Sequence, residues 1–424
     1  MKAHQAVASC PVVTPAGSPV RVLSLCCLYP NPLHPGQGLF VQRRLRHLAE
    51  LTEVMVVAPF AVVQYGNQSG SRMRLREQLC PVRRQDAEMT VLQPRWFYPP
   101  LSGSLSACWL FVRLLPMLVR LRREFPYEVI DTHFGHPEGV AGALLSTALK
   151  VPFTMTLRGN EPKHSRSRLG RFWMSWALRR AARVFTVSAR LRDFAIKLGA
   201  APENVKMVPN GIDASIFYPR DRATCRTRYG FDPGRPLVFS AGALVERKGH
   251  HRIVRALASL RDKGARPQLA IAGARGPEGA FEEKLRLLVA ELGMEADVRF
   301  LGQTPPEGLA ELMSASDVFC LASTNEGWPN VVHEALACGA PVVATDVGAV
   351  PEMLPDERYG VIVPVNDRTA LERGLARALA GRWDRQAIAA WGQARSWGHV
   401  AGEVLEQMRE LLGRHRDNES CDAG

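Results

Sequence analysis

The chain has 424 residues, long for a single hydrophobic core and natural for two domains of ordinary size. It is 46% hydrophobic and 22% charged, the balance of a globular protein, and its nine cysteines show no C-x-x-C pair and no metal-ligand spacing, an odd count that suits a reducing compartment. The net charge of +13 is uneven: residues 1–210 hold 28 Lys and Arg against 12 Asp and Glu, whereas residues 211–424 hold 26 against 29, so the first half expects an anionic surface, membrane or nucleic acid, as partner.

Residues 1–19 are rich in Pro, Ala and Ser and lack a long apolar core, so they read as a loose tail and not a signal peptide. VRVLSLCCLYP (20–30) is a buried strand, followed by NPLHPGQG and the amphipathic helix FVQRRLRHLAEL. Gly36 and Gly38 sit at this hand-over, where bulk would block the approach of backbone to a ligand; the spacing is not G-x-G-x-x-G, which argues against a dinucleotide site. EVMVVAPF (53–60) is the second strand, and residues 61–103 read as irregular, basic and dotted with aromatics. The most apolar window, 104–126, carries Arg113 and Pro116 and is too short for a membrane span. It is expected to be a helix packed on the first sheet, with a membrane-lying helix as the alternative.

Strand and helix continue to alternate. VIDTH, GVAGALLSTAL and PFTMTLRG give strand, helix and strand, then come a helix from 168, the strand RVFTVS and a helix capped by Ser188. Asn210-Gly211 predicts a positive-φ turn, and the domain boundary is placed there. PLVFSAG is the next strand, and Lys248-Gly249 opens a helix. Arg247 and Lys248 thus stand at a helix start, where cations are unusual. QLAIAGARG, a helix, and DVRFLGQTPP follow.

The stretch DVFCLASTNEGWPNVVHEALACGAPVVAT (317–345) reads as strand, loop, helix and strand, with Pro329 at the first helical position and Gly339 ending the helix. The amides near Asn330 and Val331 lack intrahelical partners and offer a seat for phosphate. Glu326 in the loop and Glu334 in the helix flank that seat, and carboxylates accept hydrogen bonds from sugar hydroxyls. Alone, two glutamates eight positions apart would be ordinary solvated side chains.

Embedded in EGWPNVVHEALACGAPVVAT, they resemble the donor-site motif of retaining GT-B glycosyltransferases, specifically glycosyltransferase family 4. The resemblance spans residues 20–412. It implies an α/β fold of two Rossmann-like doubly wound domains facing across a cleft, with an acceptor-side domain at 20–208 and a nucleotide-sugar donor domain at 209–394. A helix at 395–414 would cross back onto the first domain, and 415–424 would fray. By the same resemblance the Gly36/Gly38 loop faces the donor phosphate, Arg247 and Lys248 hold the diphosphate, and the donor base is bracketed near 297–306. HFGHPEG resembles the family's histidine-plus-PDG motif, placing His133, His136 and Gly139 at a strand–helix turn. TLRGNE resembles T-L-x-G-x-D, but Arg158 stands where many members carry histidine. The usual Gly-Arg-Leu reads Gly242-Ala243-Leu244, and Arg247 would supply the missing charge.

The expectation is therefore a retaining glycosyltransferase in which Glu326, His133 and Arg158 are catalytic candidates and Gly36, Gly38, Arg247, Lys248, Asn330, Val331 and Glu334 bind the donor. No D-x-D pair occurs, so no metal and no other cofactor is expected. The expected partners are a nucleotide-sugar and a glycan or lipid-linked acceptor, in the cytoplasm, with an anionic membrane surface as a further partner and no nucleic acid. A nucleotide-sugar epimerase, or a silent nucleotide-sugar binding module, is the alternative.

Overall fold

Short apolar runs separated by amphipathic helices become the strands of two doubly wound sheets. The computed structural model describes residues 19–64, 74–75, 80–99, 103–276 and 280–422. Of the expected tail at 1–19, only Pro19 lies within these residues.

The first crossover is β1 (Arg21–Leu25), α1 (Leu39–Ala49) and β2 (Glu53–Val57). The next stretch, expected to be irregular, is largely paired. β3 (Phe60–Ala61) pairs with β8 (Arg95–Trp96), and β4 (Val63–Gln64) with β5 (Arg74–Leu75). β6 (Arg83–Asp86) and β7 (Met89–Leu92) form an antiparallel hairpin whose second strand lies parallel to β2. Its turn places Ala87 at φ 51°, a conformation that glycine or asparagine would have announced and alanine does not.

Then come α2 (Ser106–Glu124), β9 (Val129–His133), α3 (Val140–Leu149), β10 (Phe153–Leu157), α4 (Glu161–His164), α5 (Arg168–Arg180), β11 (Arg183–Thr186), α6 (Ala189–Lys197) and β12 (Val205–Met207). The sheet order is β12-β11-β10-β9-β1-β2-β7-β6, parallel except at the hairpin. Leu110, Leu114, Leu118 and Leu121 recur at helical spacing and bury α2 against the sheet, with α3 and α5 in the same layer. The described residues include no helix long and apolar enough to cross a membrane.

The second sheet is built from α7 (Arg222–Tyr229), β13 (Leu237–Ala241), α8 (His250–Asp262), β14 (Gln268–Ala272), α9 (Ala280–Glu291), β15 (Val298–Gly302), α10 (Pro306–Ala315), β16 (Val318–Leu321), α11 (Asn330–Ala337), β17 (Val342–Thr345), α12 (Val350–Met353), β18 (Gly360–Val363), α13 (Arg368–Ala380) and α14 (Arg385–Gln393). Its order, β15-β14-β13-β16-β17-β18, reverses direction between β13 and β16, and in such sheets the ligand crevice lies outside the strand ends at that point.

The last helix, α15 (Trp397–Asp422), returns to the first sheet: Val404, Leu405 and Met408 share a core with Val41, Leu45 and Leu48 of α1. It runs past 414, where fraying was expected. Asn210-Gly211 does not form the predicted positive-φ turn, since neither residue has positive φ. Glycine is needed at 211 for another reason: a Cβ there would lie 2.5 Å from the Trp397 amide nitrogen.

Candidate functional site

The loops after β13 and β16 meet at the reversal point of the second sheet. A 3-10 turn at Glu246–Lys248 and the left-handed Gly249 (φ 77°) aim Lys248 back across the crevice. Its Nζ lies 2.7 Å from Glu326 Oε1, the same oxygen that accepts from Ser323 Oγ at 2.8 Å and from Arg247 Nη1 at 3.2 Å. Burial pushes the Glu326 carboxyl up, but Lys248 and Arg247 outweigh it and hold the group below the usual carboxylate range. Arg247 also donates to the Asn325 carbonyl at 2.6 Å. Arg247, Lys248 and Glu326 are thus brought together, as a set, from positions nearly eighty residues apart.

Pro329 is the N-cap of α11 and not its first helical residue, so the helix opens at Asn330. The Asn330 and Val331 amides precede the first bonded turn, which starts with the Val332 amide on the Pro329 carbonyl. Glu334, further along α11, is buried, and its nearest charge is Arg43 of α1, with Nη1 3.4 Å from Oε1. Burial raises its pKa, and Arg43 only partly counters this. The two glutamates are therefore driven in opposite directions by their surroundings. Arg43 was missed by the sequence reading; an arginine on an amphipathic helix carries no signal that its partner lies 291 positions away.

Across the crevice, His133 and Arg158 stand at the ends of β9 and β10, but neither ring nor guanidinium is open to solvent. His133 is 0% exposed. Arg158 Nη2 lies 3.0 Å from His133 Nδ1, and since guanidinium only donates, Nδ1 accepts and Nε2 carries the proton toward Asp131 (3.2 Å) and Ser24 (3.1 Å). Burial lowers the His133 pKa to about 4 in spite of Asp131, so the ring is neutral. Asp131 is also held by Arg44 in two bonds of 3.1 and 2.9 Å and by Thr154 at 2.7 Å. His133 thus positions Arg158 and offers no lone pair to the cleft. Arg158 Nη1 continues to Asn210 (3.1 Å), which donates to Asn330 Oδ1 at 3.0 Å, linking the first sheet to the start of α11.

Glu161 was not singled out by sequence, yet its carboxylate accepts from the amides of Gly135, Arg158 and Gly159, the last at 2.7 Å, and fixes both turns. Gly159 (φ 122°) meets Gly327: a Cβ on Gly159 would sit 2.7 Å from the Gly327 Cα, so the two walls touch backbone to backbone. Gly38 (φ 72°) caps α1 and packs on Leu28, whereas Gly36 is exposed, and a Cβ there would lie 3.9 Å from Gln303 Nε2 of the opposite wall. Beyond Gly242 a cavity of about 230 Å³ opens at the ends of β14 and β15, lined by Leu244, Gly273, Arg275, Phe300 and Gln303.

Residues 221–395 match the family model described as glycosyl transferases group 1, and residues 35–211 match the glycosyl transferase 4-like domain. The putative teichuronic acid biosynthesis glycosyltransferase TuaC of Bacillus subtilis is 26% identical over 362 residues, 83% of this chain and 88% of that protein. The alpha-maltose-1-phosphate synthase of Mycolicibacterium smegmatis is 30% identical, covering 67% and 79%. The chain spans only about half of the D-inositol 3-phosphate glycosyltransferase of Saccharomonospora viridis, at 35% identity over 51% of this chain and 52% of that one. Among solved structures, sucrose-phosphate synthase from Thermosynechococcus elongatus superposes with a TM-score of 0.73 at 21% identity, covering 93% of this chain and 100% of that one. Anabaena HepE, in complex with UDP and glucose, gives 0.69 at 20% identity, covering 92% and 100%. The two facing sheets have the GT-B arrangement.

Proposed function

The chain belongs to the group 1 glycosyl transferases, and from that premise we propose that it moves a sugar from a nucleotide-sugar to a hydroxyl of a glycan or lipid-linked acceptor, with retention at the anomeric carbon. The observation that carries this reading is the cluster of Lys248, Arg247 and Glu326 at the reversal point of the second sheet, beside the open amides of α11. A diphosphate seated there meets two fixed cations and a helix start, which stabilise the negative charge that grows as the sugar–phosphate bond breaks. The bonding pair leaves with the nucleoside diphosphate; the acceptor oxygen joins the anomeric carbon and its proton passes to the diphosphate oxygen that departs.

Fixed cations can take that charge without a metal, so activity should persist in excess chelator. Glu334 would accept from ribose hydroxyls, giving up Arg43, while Glu326 faces the transferred sugar. The cavity lined by Phe300 and Gln303 would take the base. The UDP complex of HepE supports a nucleotide donor, and the name of TuaC supports polysaccharide synthesis. We place the reaction in the cytoplasm.

The test is a thermal-shift screen against nucleotide-sugars, in which a ligand at 100 times its Kd should stabilise by about 2.7 kcal/mol. The anomeric configuration of the product is then read by NMR. An inverted product would overturn retention, and silence toward every nucleotide and nucleotide-sugar would overturn the donor site.

A further inference from the structure

A large share of the basic excess of the first half lies on one face. α2 and α5 lie in the same layer, on either side of α3, and together carry eight arginines against a single carboxylate, Glu124. Among the described residues, none of these eight forms an ion pair with a carboxylate. The arginines of α1 behave differently: Arg43, Arg44 and Arg46 are paired with Glu334, Asp131 and Asp86.

The same face is apolar. Seven of the fourteen most exposed large apolar side chains among the described residues lie on α2, α5 or the segment leading into α2, which sets this face apart from a surface with scattered apolar residues. Val112 is 61% exposed, Phe172 56% and Trp109 43%. Two grooves, of about 470 and 430 Å³, run beside α2; Arg83, Arg113 and Arg120 edge the first, and Arg95, Phe97 and Trp109 the second.

We propose that the outer face of α2 and α5 docks on an anionic lipid bilayer. Guanidinium groups match lipid phosphates in shape and charge, and tryptophan favours the boundary between headgroups and acyl chains. α5 begins directly after α4 at the end of β10, so a bilayer on this face would lie beside the cleft mouth. The proposal goes beyond the donor-site reading and does not depend on it.

The experiment is co-sedimentation of the full chain with phosphatidylcholine vesicles containing increasing phosphatidylglycerol, at low and high salt. Binding should rise with anionic lipid and fall with salt. Replacing Arg120, Arg123, Arg168 and Arg171 by glutamine should lower partitioning by roughly fivefold for each cation removed. V112S with F172S should lower it by about tenfold at unchanged charge. Both variants should keep the wild-type urea-unfolding midpoint. Arg358→Gln with Arg377→Gln, on the second half, should leave binding unchanged. Partitioning that ignores lipid charge, or that all three variants share equally, overturns the proposal. So does polynucleotide binding that the four-arginine variant abolishes while vesicles stay unbound.

Discussion

On the first wall of the cleft, Asp131, Arg44, His133 and Arg158 are each less than a tenth exposed and satisfy their hydrogen bonds largely with one another. On the second wall, Arg247, Lys248 and Ser323 crowd one oxygen of Glu326 at a rim where the Arg247 side chain is 46% exposed. The first arrangement is closed and leaves a ligand little to bind. The second can exchange partners, because a phosphate can take over the cations that Glu326 now holds. The first wall therefore keeps its charges among themselves, and the second holds its charges at an open rim.

The largest effect expected of a single substitution tests the first wall. Asp131→Ala leaves Arg44 buried without its carboxylate, and breaking a buried pair on one side costs about 3–5 kcal/mol. Urea unfolding should show that loss; a midpoint near wild type would mean the network is dispensable. Lys248→Ala probes the opposite wall. It should weaken nucleoside diphosphate binding by about 1.5–3 kcal/mol, measured by calorimetry, with little change in unfolding. A comparable loss of stability would erase the distinction between the walls.

Acid gives a finer test. Burial lowers His133, His250 and His333 to about 4, so below the ordinary value of 6.5 the unfolded chain binds protons that the folded chain refuses. Stability then falls as pH drops from 6.5 toward 4, by about 1.4 kcal/mol per pH unit for each such histidine. Glu138, raised to about 7 by burial, works in the opposite direction and offsets one of the three between 4.5 and 6.5. A melting temperature that is flat or rises over that window would contradict the buried neutral rings. The smallest effect separates the glutamates. Glu334→Gln should weaken free nucleotide by about 1 kcal/mol, whereas Glu326→Gln should slow transfer and leave free nucleotide binding nearly intact. Equal losses of nucleotide affinity would remove the division of labour.

The strands were legible because buried parallel strands are short apolar runs, and RVLSL, FTMTL and LVFSA each say so locally. Lys248 and Glu326 were legible from their places at helix starts and from the surrounding motif. What was hidden depends on distant pairing. Nothing near Arg43 names Glu334, nothing near Gly159 names Gly327, and Ala87 turns a hairpin without the usual residues. His133 was visible as a motif, but its complete burial follows from Asp131, Ser24 and Arg158 closing around it.

The return of α15 to the first sheet has a consequence for synthesis. Val41, Leu45 and Leu48 of α1 are covered by Val404, Leu405 and Met408, which leave the ribosome long after them. At roughly 5–20 residues per second, the residues between Gly211 and Trp397 take on the order of 10–40 s to emerge. For that interval the first half has an uncovered apolar stripe, so a truncation before α15 should expose it permanently and turn the nascent half into a chaperone client.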